Sequence, residues 1–314
     1  MKNGILIIDK PKGMTSFKAV EAVRRRLKVK KVGHTGTLDP MATGLLAICL
    51  GKATKISRFL TDTDKLYEGS ITLGIETDTY DMEGDVVQKK KVPFLTKEML
   101  DEIASEFIGE QEQSPPAFSA AKHKGVPLYK LARKGIKVKK EPKKIEIFDF
   151  QILKYNPPTL FFRVHCSKGT YIRTLAHEFG IKVGCGAVLS SLRRLRSGLL
   201  SISEAITIDT LMKEEIHEIK KKIIPVELVL SHIPALVINN KDALSIHYGK
   251  RLSLLKILSY MKEQIPEFTS VKSQYLRLMV KDREGKGQLV CISKWPDFNN
   301  HKGFLEILRV WNPN

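Results

Sequence analysis

Two short segments of the chain are continuously apolar, which predicts strands buried on both faces. They are residues 5–8 and 45–50. An apolar run of this length, bounded by turn residues, fits a strand at the centre of a sheet. Other segments alternate between apolar and polar residues, which is the pattern of a strand with one buried face. These segments are residues 65–74, 145–154 and 160–166. A Pro-Pro pair between the last two predicts a hairpin.

Helical spacing of apolar residues appears in several other segments. The first predicted helix covers residues 17–28, with Ser16 as its expected N-cap. The later predicted helices cover residues 51–60, 97–107, 168–183 and 208–222, and Thr96 is the expected N-cap of the helix at 97–107. Residues 192–198 predict a basic strand.

From His232 the pattern changes to short apolar runs separated by turns. This predicts a small, mainly β module of about 80 residues. A basic, helical segment at 253–272 has no physical explanation within such a module. We therefore expect an α+β protein: a catalytic domain over residues 1–230, with a mixed, largely antiparallel sheet and flanking helices, and a mainly β domain over 231–314.

The loop at residues 33–44 lies between the first predicted helix and the apolar strand at 45–50. It is dense in Gly, Thr and Pro, which predicts an ordered loop rather than a helix or a strand. Asp39 is the single carboxylate in this loop, and Pro40 restricts the backbone that presents it. The loop therefore offers one well-placed acidic group.

The charge of the chain suggests a polyanionic partner. Lys and Arg number 53 against 34 Asp and Glu, which gives a net charge of +19. Such an excess is typical of proteins that bind nucleic acid or a membrane surface. A general solubility charge, or an organism with a basic proteome, would give the same excess.

The most basic segment, residues 121–144, has ten Lys and Arg against Glu141 alone. It has little apolar content, so we expect it to pack weakly and to become ordered on a phosphate backbone, with salt-dependent affinity. A solvated loop is the alternative interpretation.

Several classes of protein are excluded or disfavoured. No segment is long and apolar enough to span a membrane, and a charge pair ends the first apolar run too early for a signal peptide. We therefore expect a cytoplasmic protein with no membrane partner. The cysteines are far apart, which indicates free thiols rather than a zinc site or a disulfide framework. They are Cys49, Cys166, Cys185 and Cys291.

A phosphate-binding P-loop is also excluded. Six residues separate Gly44 from Gly51, where the P-loop motif needs four, and Ala53 occupies the position of the required Ser or Thr.

Asp39 has two possible roles. Glycoside hydrolysis would need a second carboxylate, and phosphoryl transfer would need a metal site or a P-loop. A lone aspartate can be a covalent nucleophile at a sugar or base carbon if a cation keeps it ionised. Arg173, at the start of a predicted helix, is the candidate cation. A structural Asp that bonds turn amides would give the same pattern.

Tyr67 and Tyr171 are candidates for contact with a nucleobase. Enzymes that modify a base extrude it and stack it on aromatic or apolar side chains. Half-buried aromatic residues of a sheet or helix would look the same in the sequence. His34 is either a hydrogen-bonding residue of the loop or a residue that fills the space left by an extruded nucleotide.

Five motifs stand in order along the chain and together carry a family resemblance. They are Lys10-Pro11-Lys12-Gly13-Met14-Thr15-Ser16, Gly33-His34-Thr35-Gly36-Thr37-Leu38-Asp39-Pro40 with Ala42-Thr43-Gly44, the segment 65–74 with Tyr67, Pro115-Pro116-Ala117-Phe118-Ser119-Ala120, and Gly169-Thr170-Tyr171-Ile172-Arg173. Over residues 3–230 the chain closely resembles the TruB family of bacterial tRNA pseudouridine-55 synthases.

The resemblance implies a pseudouridine synthase fold and a catalytic role for three residues. Asp39 would attack a flipped uridine, at C1′ or, in an older scheme, at C6. The N1–C1′ bond would break, the base would rotate, and C5 would join C1′. Tyr67 would stack on the base and help to remove the C5 proton, and Arg173 would pair with Asp39.

The resemblance also implies a set of RNA-contacting residues. Tyr171 and Leu192 would lie near the base, and His34 would take the place of the flipped nucleotide. Lys10 and Pro11 would support the pocket, and an insert at about 112–144 would close on the T-arm. The expected substrate-binding residues are His34, Tyr171, Leu192, Lys10, Pro11, Lys65, Lys122, Lys130 and Arg133.

The resemblance implies tRNA as the partner, bound through its T-arm, and no cofactor, metal or required protein partner. We expect a monomer, and residues 231–314 resemble an RNA-binding PUA domain. The family has Tyr-Ser where this chain has Phe118-Ser119. Two alternatives stay open: a guide-RNA-dependent rRNA pseudouridine synthase, and an RNA-binding or tRNA-folding protein with secondary catalysis.

Overall fold

The computed structural model describes residues 3–119, 121–136, 138, 140–265, 273–297 and 303–311. The strands are β1 (Gly4–Lys10), β2 (Val32–His34), β3 (Thr43–Leu50), β4 (Lys65–Leu73), β5 (Ile75–Thr77), β6 (Val86–Lys89), β7 (Gly109–Gln113), β8 (Lys122–His123), β9 (Val126–Pro127), β10 (Lys143–Asn156), β11 (Thr159–Cys166), β12 (Ala187–Ser197), β13 (Leu200–Ser201), β14 (Ile206–Thr207), β15 (Ala235–Val237), β16 (Tyr275–Lys281), β17 (Gly287–Lys294) and β18 (Ile307–Val310).

The helices lie between and beside these strands. They are α1 (Ser16–Leu27), α2 (Ser57–Thr61), α3 (Lys97–Ser105), α4 (Leu128–Ala132), α5 (Ile172–Val183), α6 (Ile208–Lys213), α7 (Ile216–Lys221), α8 (Val226–Val229), α9 (Asn240–His247) and α10 (Leu254–Gln264), with short 3-10 helices at Gly51–Ile56 and Ile202–Glu204.

The main sheet has the strand order β14-β1-β3-β12-β4-β11-β10-β7, with β2 added to β3 and β13 added to β12. Its β1–β14 and β3–β12 pairs are parallel, and its other pairs are antiparallel. A second sheet has the order β15-β16-β17-β18. The predicted α+β class and the mixed, largely antiparallel sheet are confirmed.

The apolar run of β3 is explained by what covers each face of the sheet. Leu46 and Ile48 pack in the cluster that contains helices α1 and α5. Leu45 and Ala47 point to the other face, where their cluster includes Trp311 and other residues of the second sheet. Because alternate residues of a strand face opposite sides, burial on both sides requires an apolar residue at every position.

The first helix begins differently from its prediction. Thr15, not Ser16, is the N-cap of α1, and its hydroxyl accepts a hydrogen bond from the Lys18 N–H at 3.2 Å. Ser16 is buried in the first turn, where its hydroxyl has another partner. The cap of α3 by Thr96 is confirmed, since its hydroxyl accepts a bond from the Met99 N–H.

Other elements also differ in detail. The helix predicted over 208–222 is two short helices, α6 and α7, and the helix predicted from 168 begins at Ile172. Strand β7 was not predicted. The C-terminal module is less purely β than predicted, because α9 and α10 pack on its sheet. Helix α10 occupies most of the unexplained basic segment, and residues 266–272 lie outside the described chain.

Candidate active site

The loop that carries Asp39 is the tip of a hairpin between β2 and β3. His34, at the end of β2, pairs with Ile48 of β3, and the chain then leaves the ladder. A turn follows, closed by a hydrogen bond of 3.1 Å from the Ala42 N–H to the Asp39 carbonyl. Pro40 occupies the second position of this turn, where its fixed φ is favourable. The predicted loop is therefore ordered, with its two ends in strands.

Ser16 fixes the backbone just before Asp39. Its Oγ accepts a hydrogen bond from the Leu38 N–H at 2.8 Å and lies 3.0 Å from the Leu38 carbonyl oxygen, to which it donates. Both residues are buried. One hydroxyl thus satisfies both backbone groups of Leu38, and it ties the start of α1 to the loop.

Lys10 fixes the backbone just after Asp39. It has no exposed surface, and its Nζ donates to the carbonyl oxygens of Met14 at 2.7 Å, Pro11 at 3.0 Å and Pro40 at 3.3 Å. Burial lowers the pKa of Lys10 to about 8. In this structure the ammonium group therefore binds backbone on both sides of the loop. The predicted roles of Lys10, support of the pocket and RNA binding, stay predictions.

Arg173 is the cation next to Asp39. Its Nε lies 2.9 Å from Asp39 Oδ2. The Arg173 side chain is 7% exposed, whereas that of Asp39 is 39% exposed. The same guanidinium donates to the carbonyl oxygens of Thr79 at 3.0 Å and Phe118 at 2.8 Å. The contact at Phe118 uses the backbone, so it does not need the Tyr hydroxyl that the family has there.

Asp81 is a second carboxylate on Arg173, and the sequence analysis missed it. Asp81 Oδ2 lies 3.3 Å from Arg173 Nη1. Its other oxygen accepts from Thr79 Oγ1 at 2.7 Å and from the Glu83 N–H at 3.0 Å. Asp81 is buried, so Arg173 is held in place independently of Asp39. In the sequence, Asp81 lies in an acidic, turn-like segment at 77–85 that gives no sign of its contact with Arg173.

These residues meet at one pocket with a volume of about 600 Å³, which is within the range of small-ligand sites. Its lining includes Asp39, Lys65, Tyr67, Tyr171, Arg173, Leu192 and Arg194. The lining residues come from the β2–β3 loop, β4, the start of α5 and β12. The structure therefore brings together residues that the sequence analysis placed in separate motifs.

Family models of known proteins match most of the chain up to residue 231. Residues 24–172 match the N-terminal domain of TruB family pseudouridylate synthases. Residues 173–231 match the tRNA pseudouridylate synthase B C-terminal domain. This chain belongs to the TruB family of pseudouridylate synthases. It is therefore a pseudouridine synthase, which is an isomerase, as predicted.

Relatives of this synthase are similar over most of its length. The tRNA pseudouridine synthase B of Opitutus terrae is 46% identical, over 71% of this chain and 93% of the relative. The protein of the same name from Clostridium tetani is 40% identical, over 90% of this chain and 97% of the relative. That from Syntrophotalea carbinolica is 49% identical, over 67% and 68%.

Solved structures share the fold of the synthase. A chain in the crystal structure of a Cbf5-Nop10-Gar1 complex has a TM-score of 0.72 and 24% identity, over 99% of this synthase and 85% of that chain. A chain of the archaeal box H/ACA sRNP Nop10-Cbf5 complex has a TM-score of 0.70 and 23% identity, over 99% and 86%. At this identity the likeness shows the fold alone.

Gln113 is a further residue that the sequence analysis missed, because β7 was not predicted. Its side chain is buried and bonds both backbone groups of Tyr171. The Tyr171 N–H donates to Gln113 Oε1 at 2.7 Å, and Gln113 Nε2 donates to the Tyr171 carbonyl at 3.2 Å. The edge strand of the sheet thus positions the residue that precedes α5 and Arg173.

Three other predicted pocket residues of the synthase, Tyr67, Leu192 and Lys65, are buried. Tyr67 is 8% and Leu192 is 9% exposed. Lys65 is also buried, and its Nζ donates to the carbonyl oxygens of Thr61, at 2.7 Å, and Thr63. Burial lowers the pKa of Lys65 to about 8. Lys65 lines the pocket, but its hydrogen bonds go to the protein backbone.

His34 and Pro11 lie outside the pocket lining. His34 Nδ1 accepts a hydrogen bond from the Gly36 N–H at 3.3 Å. Burial lowers the pKa of His34, and the charge of Arg194 adds to this effect. Both effects favour the neutral imidazole. Pro11 is exposed beside the loop. Their predicted roles toward RNA stay predictions.

The described residues of the basic segment 121–144 include the β8–β9 hairpin, helix α4 and the first residues of β10. Leu128 is its buried anchor, whereas Lys130 and Arg133 are exposed. The Arg133 guanidinium lies over the ring of Tyr129, 5.7 Å from its centroid. The side chain of Lys122 lies outside the described structure. Four other lysines line the pocket mouth, and none of them was among the predicted RNA-binding residues. They are Lys140, Lys143, Lys144 and Lys168.

Metal-ligand clusters and membrane-spanning helices are both missing from the described part of the chain. Within residues 3–119, 121–136, 138, 140–265, 273–297 and 303–311, no group of three or more His, Cys, Asp or Glu side chains could hold a metal ion. In the same ranges no helix is long and apolar enough to cross a membrane.

Proposed function

We propose that this synthase converts uridine 55 in the T-loop of tRNA to pseudouridine, with Asp39 as the nucleophile. The observation that carries the proposal is the ion pair of 2.9 Å between Asp39 and the buried Arg173 at a pocket of about 600 Å³. The names of the relatives, tRNA pseudouridine synthase B, support tRNA as the substrate.

The ion pair prepares Asp39 for attack. The Arg173 guanidinium, 2.9 Å away, orients the Asp39 carboxylate. Asp81 shares the charge of Arg173, so Asp39 does not have to neutralise it alone. The 39% exposure of the Asp39 side chain leaves room for a sugar carbon to approach. A partly exposed, ionised carboxylate on a rigid loop has the properties of a covalent nucleophile.

The reaction can be written with these residues. An Asp39 oxygen bonds to C1′ of the flipped uridine as the N1–C1′ bond breaks. The electron pair of the broken bond stays on N1. The freed base rotates between Tyr67 and Leu192, and C5 bonds to C1′ as the Asp39 oxygen leaves. Tyr67 assists removal of the C5 proton, and N1 takes up a proton. The uridine loses one proton from C5 and gains one at N1, so its composition is unchanged and the reaction is an isomerisation that consumes no co-reactant.

The basic surfaces around the pocket would hold the tRNA. Lys143, Lys144 and Lys168 line its mouth, where phosphates of the T-arm would pass. The insert at about 112–144 would close on that arm with Lys122, Lys130 and Arg133. We place the domain boundary at residue 230 and assign residues 231–314 to RNA binding. His34 would occupy the space that the flipped nucleotide leaves.

We further propose that the synthase works as a monomer in the cytoplasm, with no protein partner and no guide RNA. The test is to incubate the purified protein alone with an unmodified tRNA transcript and to map pseudouridine by position. We expect one pseudouridine, at position 55. Formation at other positions only, or only after addition of a guide RNA and its proteins, would contradict the proposal.

A further inference from the structure

Arg194 lies in strand β12 between the strands that carry the two central parts of the site. In the ladders it is opposite Gly44 of β3 and opposite Tyr67 of β4. Gly44 has a φ of +98°, and a Cβ there would lie 2.4 Å from the Arg194 carbonyl oxygen. The backbone of Arg194 is therefore packed tightly against the strand that follows the Asp39 loop.

The Arg194 side chain holds that loop next to Tyr67. Its Nε donates to the Leu45 carbonyl at 2.8 Å, and its Nη2 donates to the Gly36 carbonyl at 3.1 Å. Arg194 is 4% exposed, and it lines the pocket together with Tyr67, its partner in the β12–β4 ladder. One guanidinium thus holds both ends of the hairpin loop beside the phenol.

Arg194 differs from Arg173 in its electrostatic partners. Arg173 has two carboxylates within 3.3 Å. In the described ranges no carboxylate lies within ion-pair distance of Arg194. Burying a cation without a counter-ion is costly even when backbone carbonyls accept its hydrogen bonds. A cost of this kind at a pocket suggests that the charge acts during the reaction.

The charge of Arg194 reaches several groups of the site. It contributes to the lowered pKa values of His34, Lys10 and Lys65. Burial raises the pKa of Tyr67, and Arg194 opposes this shift more than any other group; Cys166 and Asp39 act in the opposite direction. Among the groups around the phenol, Arg194 is therefore the one that favours negative charge there, against the effect of burial.

We propose that Arg194 is a positioning residue for the isomerisation, which holds the Asp39 loop in its reactive arrangement beside Tyr67 and whose buried charge stabilises negative charge on the detached base. The inference rests on the proposed function. When the N1–C1′ bond breaks, its electron pair stays on the base, which is anionic until C5 joins C1′. A preorganised donor backed by a buried cation stabilises such an anion more than it stabilises bound uridine.

Arg277 provides a matched control in the same chain. It is 8% exposed, and its guanidinium donates to backbone carbonyls of Ile233 at 2.8 Å and Glu227 at 2.9 Å. It lies in the second sheet, in β16, and does not line the pocket. Arg277 is therefore a buried, carbonyl-bonded arginine whose role is structural.

The experiment compares single-turnover rates and tRNA dissociation constants for Arg194→Met, Arg277→Met, Tyr67→Phe and the double variant Arg194→Met/Tyr67→Phe. We expect Arg194→Met to slow the rate at saturating enzyme about 100-fold, with a dissociation constant close to that of the wild type. Arg277→Met should lower thermal stability and leave the rate unchanged. The double variant should be no slower than its slower parent, because both substitutions remove the same stabilisation.

Equal rates for Arg194→Met and wild type, or additive losses in the double variant, would overturn the inference. Should Arg194→Met not fold, Arg194→Lys and Arg194→Gln make the same comparison, since both end in donors and only lysine keeps the charge. We expect the lysine variant to be at least about tenfold faster, and equal rates would contradict the inference. An inactive wild-type protein would instead contradict the proposed function, so the two failures are distinguishable.

Discussion

The pocket and the basic segment of residues 121–144, within the insert at about 112–144, hold their functional side chains in opposite ways. Arg173 makes four contacts inside the protein and is almost completely buried. Arg133 is exposed, and its guanidinium lies over the ring of Tyr129. Bond rearrangement depends on geometry set in advance, whereas phosphate binding depends on charge that can adjust to the RNA.

This difference predicts how each region responds to substitution. In the pocket, a change of shape at constant charge should reduce the rate and leave binding nearly intact. In the insert, loss of charge should reduce binding and leave the rate at saturation nearly intact. Substitutions in the two regions should therefore separate the rate from the affinity.

The largest of these effects is expected for Arg173→Lys. A single ammonium cannot reach Asp39, Asp81 and two carbonyl oxygens at once, so buried acceptors would lose their donors. We expect the single-turnover rate to fall by about 100-fold or more. The exposed substitution Arg133→Lys is the control and should change neither rate nor affinity appreciably. A normal rate for Arg173→Lys would show that the guanidinium geometry is unimportant.

Asp81→Asn should have a smaller effect of the same kind. It removes one charge-assisted hydrogen bond to Arg173, which is worth about 1.5–3 kcal/mol, and it leaves the ion pair with Asp39 in place. The expected loss in rate is therefore about tenfold to a hundredfold. The measurement is single-turnover kinetics, with Asp78→Asn in the same turn as the control. An Asp78 effect as large as that of Asp81 would indicate general damage to the turn.

The buried strands, the Asp39–Arg173 pair and Ser16 illustrate what could and could not be predicted from sequence. The buried strands followed directly from continuous apolar runs, and the pairing of Asp39 with Arg173 was anticipated from their chemistry. Ser16 was assigned to the wrong partner because a helix N-cap and a tertiary hydrogen bond to Leu38 use the same hydroxyl. Local pattern alone does not distinguish these two uses.

One physical reason explains why the sequence analysis did not identify three residues of the site. Asp81, Gln113 and Arg194 contact the site through long-range backbone and side-chain bonds. Their positions depend on the strand order of the sheet, in which β12 lies between β3 and β4. Periodicity identifies a strand but does not identify its neighbours, so these contacts could not be derived from the sequence.

In the insert, Lys130→Gln/Arg133→Gln should weaken tRNA binding and reduce its salt dependence. Each lost phosphate contact lowers the slope of log Kd against log salt by about 0.7–0.9, so the expected reduction is about 1.5. The rate at saturating enzyme should not change. Lys213→Gln/Lys220→Gln, on α6 and α7, is the charge-matched control. An unchanged slope for the first pair would mean that this insert is a solvated loop.

Ser16→Ala tests the support of the loop. It leaves the buried Leu38 N–H and carbonyl without their partner, at a cost of about 1–3 kcal/mol in stability, and it should also reduce the rate. Thr15→Ala, which removes only the helix cap, should cost about 1 kcal/mol with an unchanged rate. Denaturant unfolding and single-turnover kinetics measure both. Equal rates for the two variants would mean that the hydrogen bonds of Ser16 to Leu38 do not contribute to the reaction rate.

The smallest predicted effect is on the pH dependence of folding stability, and it follows from the lowered pKa of Lys10, about 8. An unfolded lysine keeps its proton to about pH 10.4, so between these values the unfolded state binds more protons and Lys10 makes stability rise with pH. Below pH 8 both states are protonated, so Lys10 adds no pH dependence there. NMR of labelled lysine side chains should show resonances of Lys10 and Lys65 that titrate near pH 8, and the Lys10 resonance is the one missing in Lys10→Arg. Titration of this resonance at about 10.4, the ordinary lysine value, would contradict the burial of Lys10.

The central claim is that Asp39 is the nucleophile. The most direct measurement compares Asp39→Asn with wild type on an unmodified T-arm stem-loop, for pseudouridine formed in a single turnover and for the dissociation constant. Asparagine keeps the size of the side chain and removes its negative charge. We predict no detectable pseudouridine with roughly unchanged binding. Normal turnover by Asp39→Asn would contradict the claim.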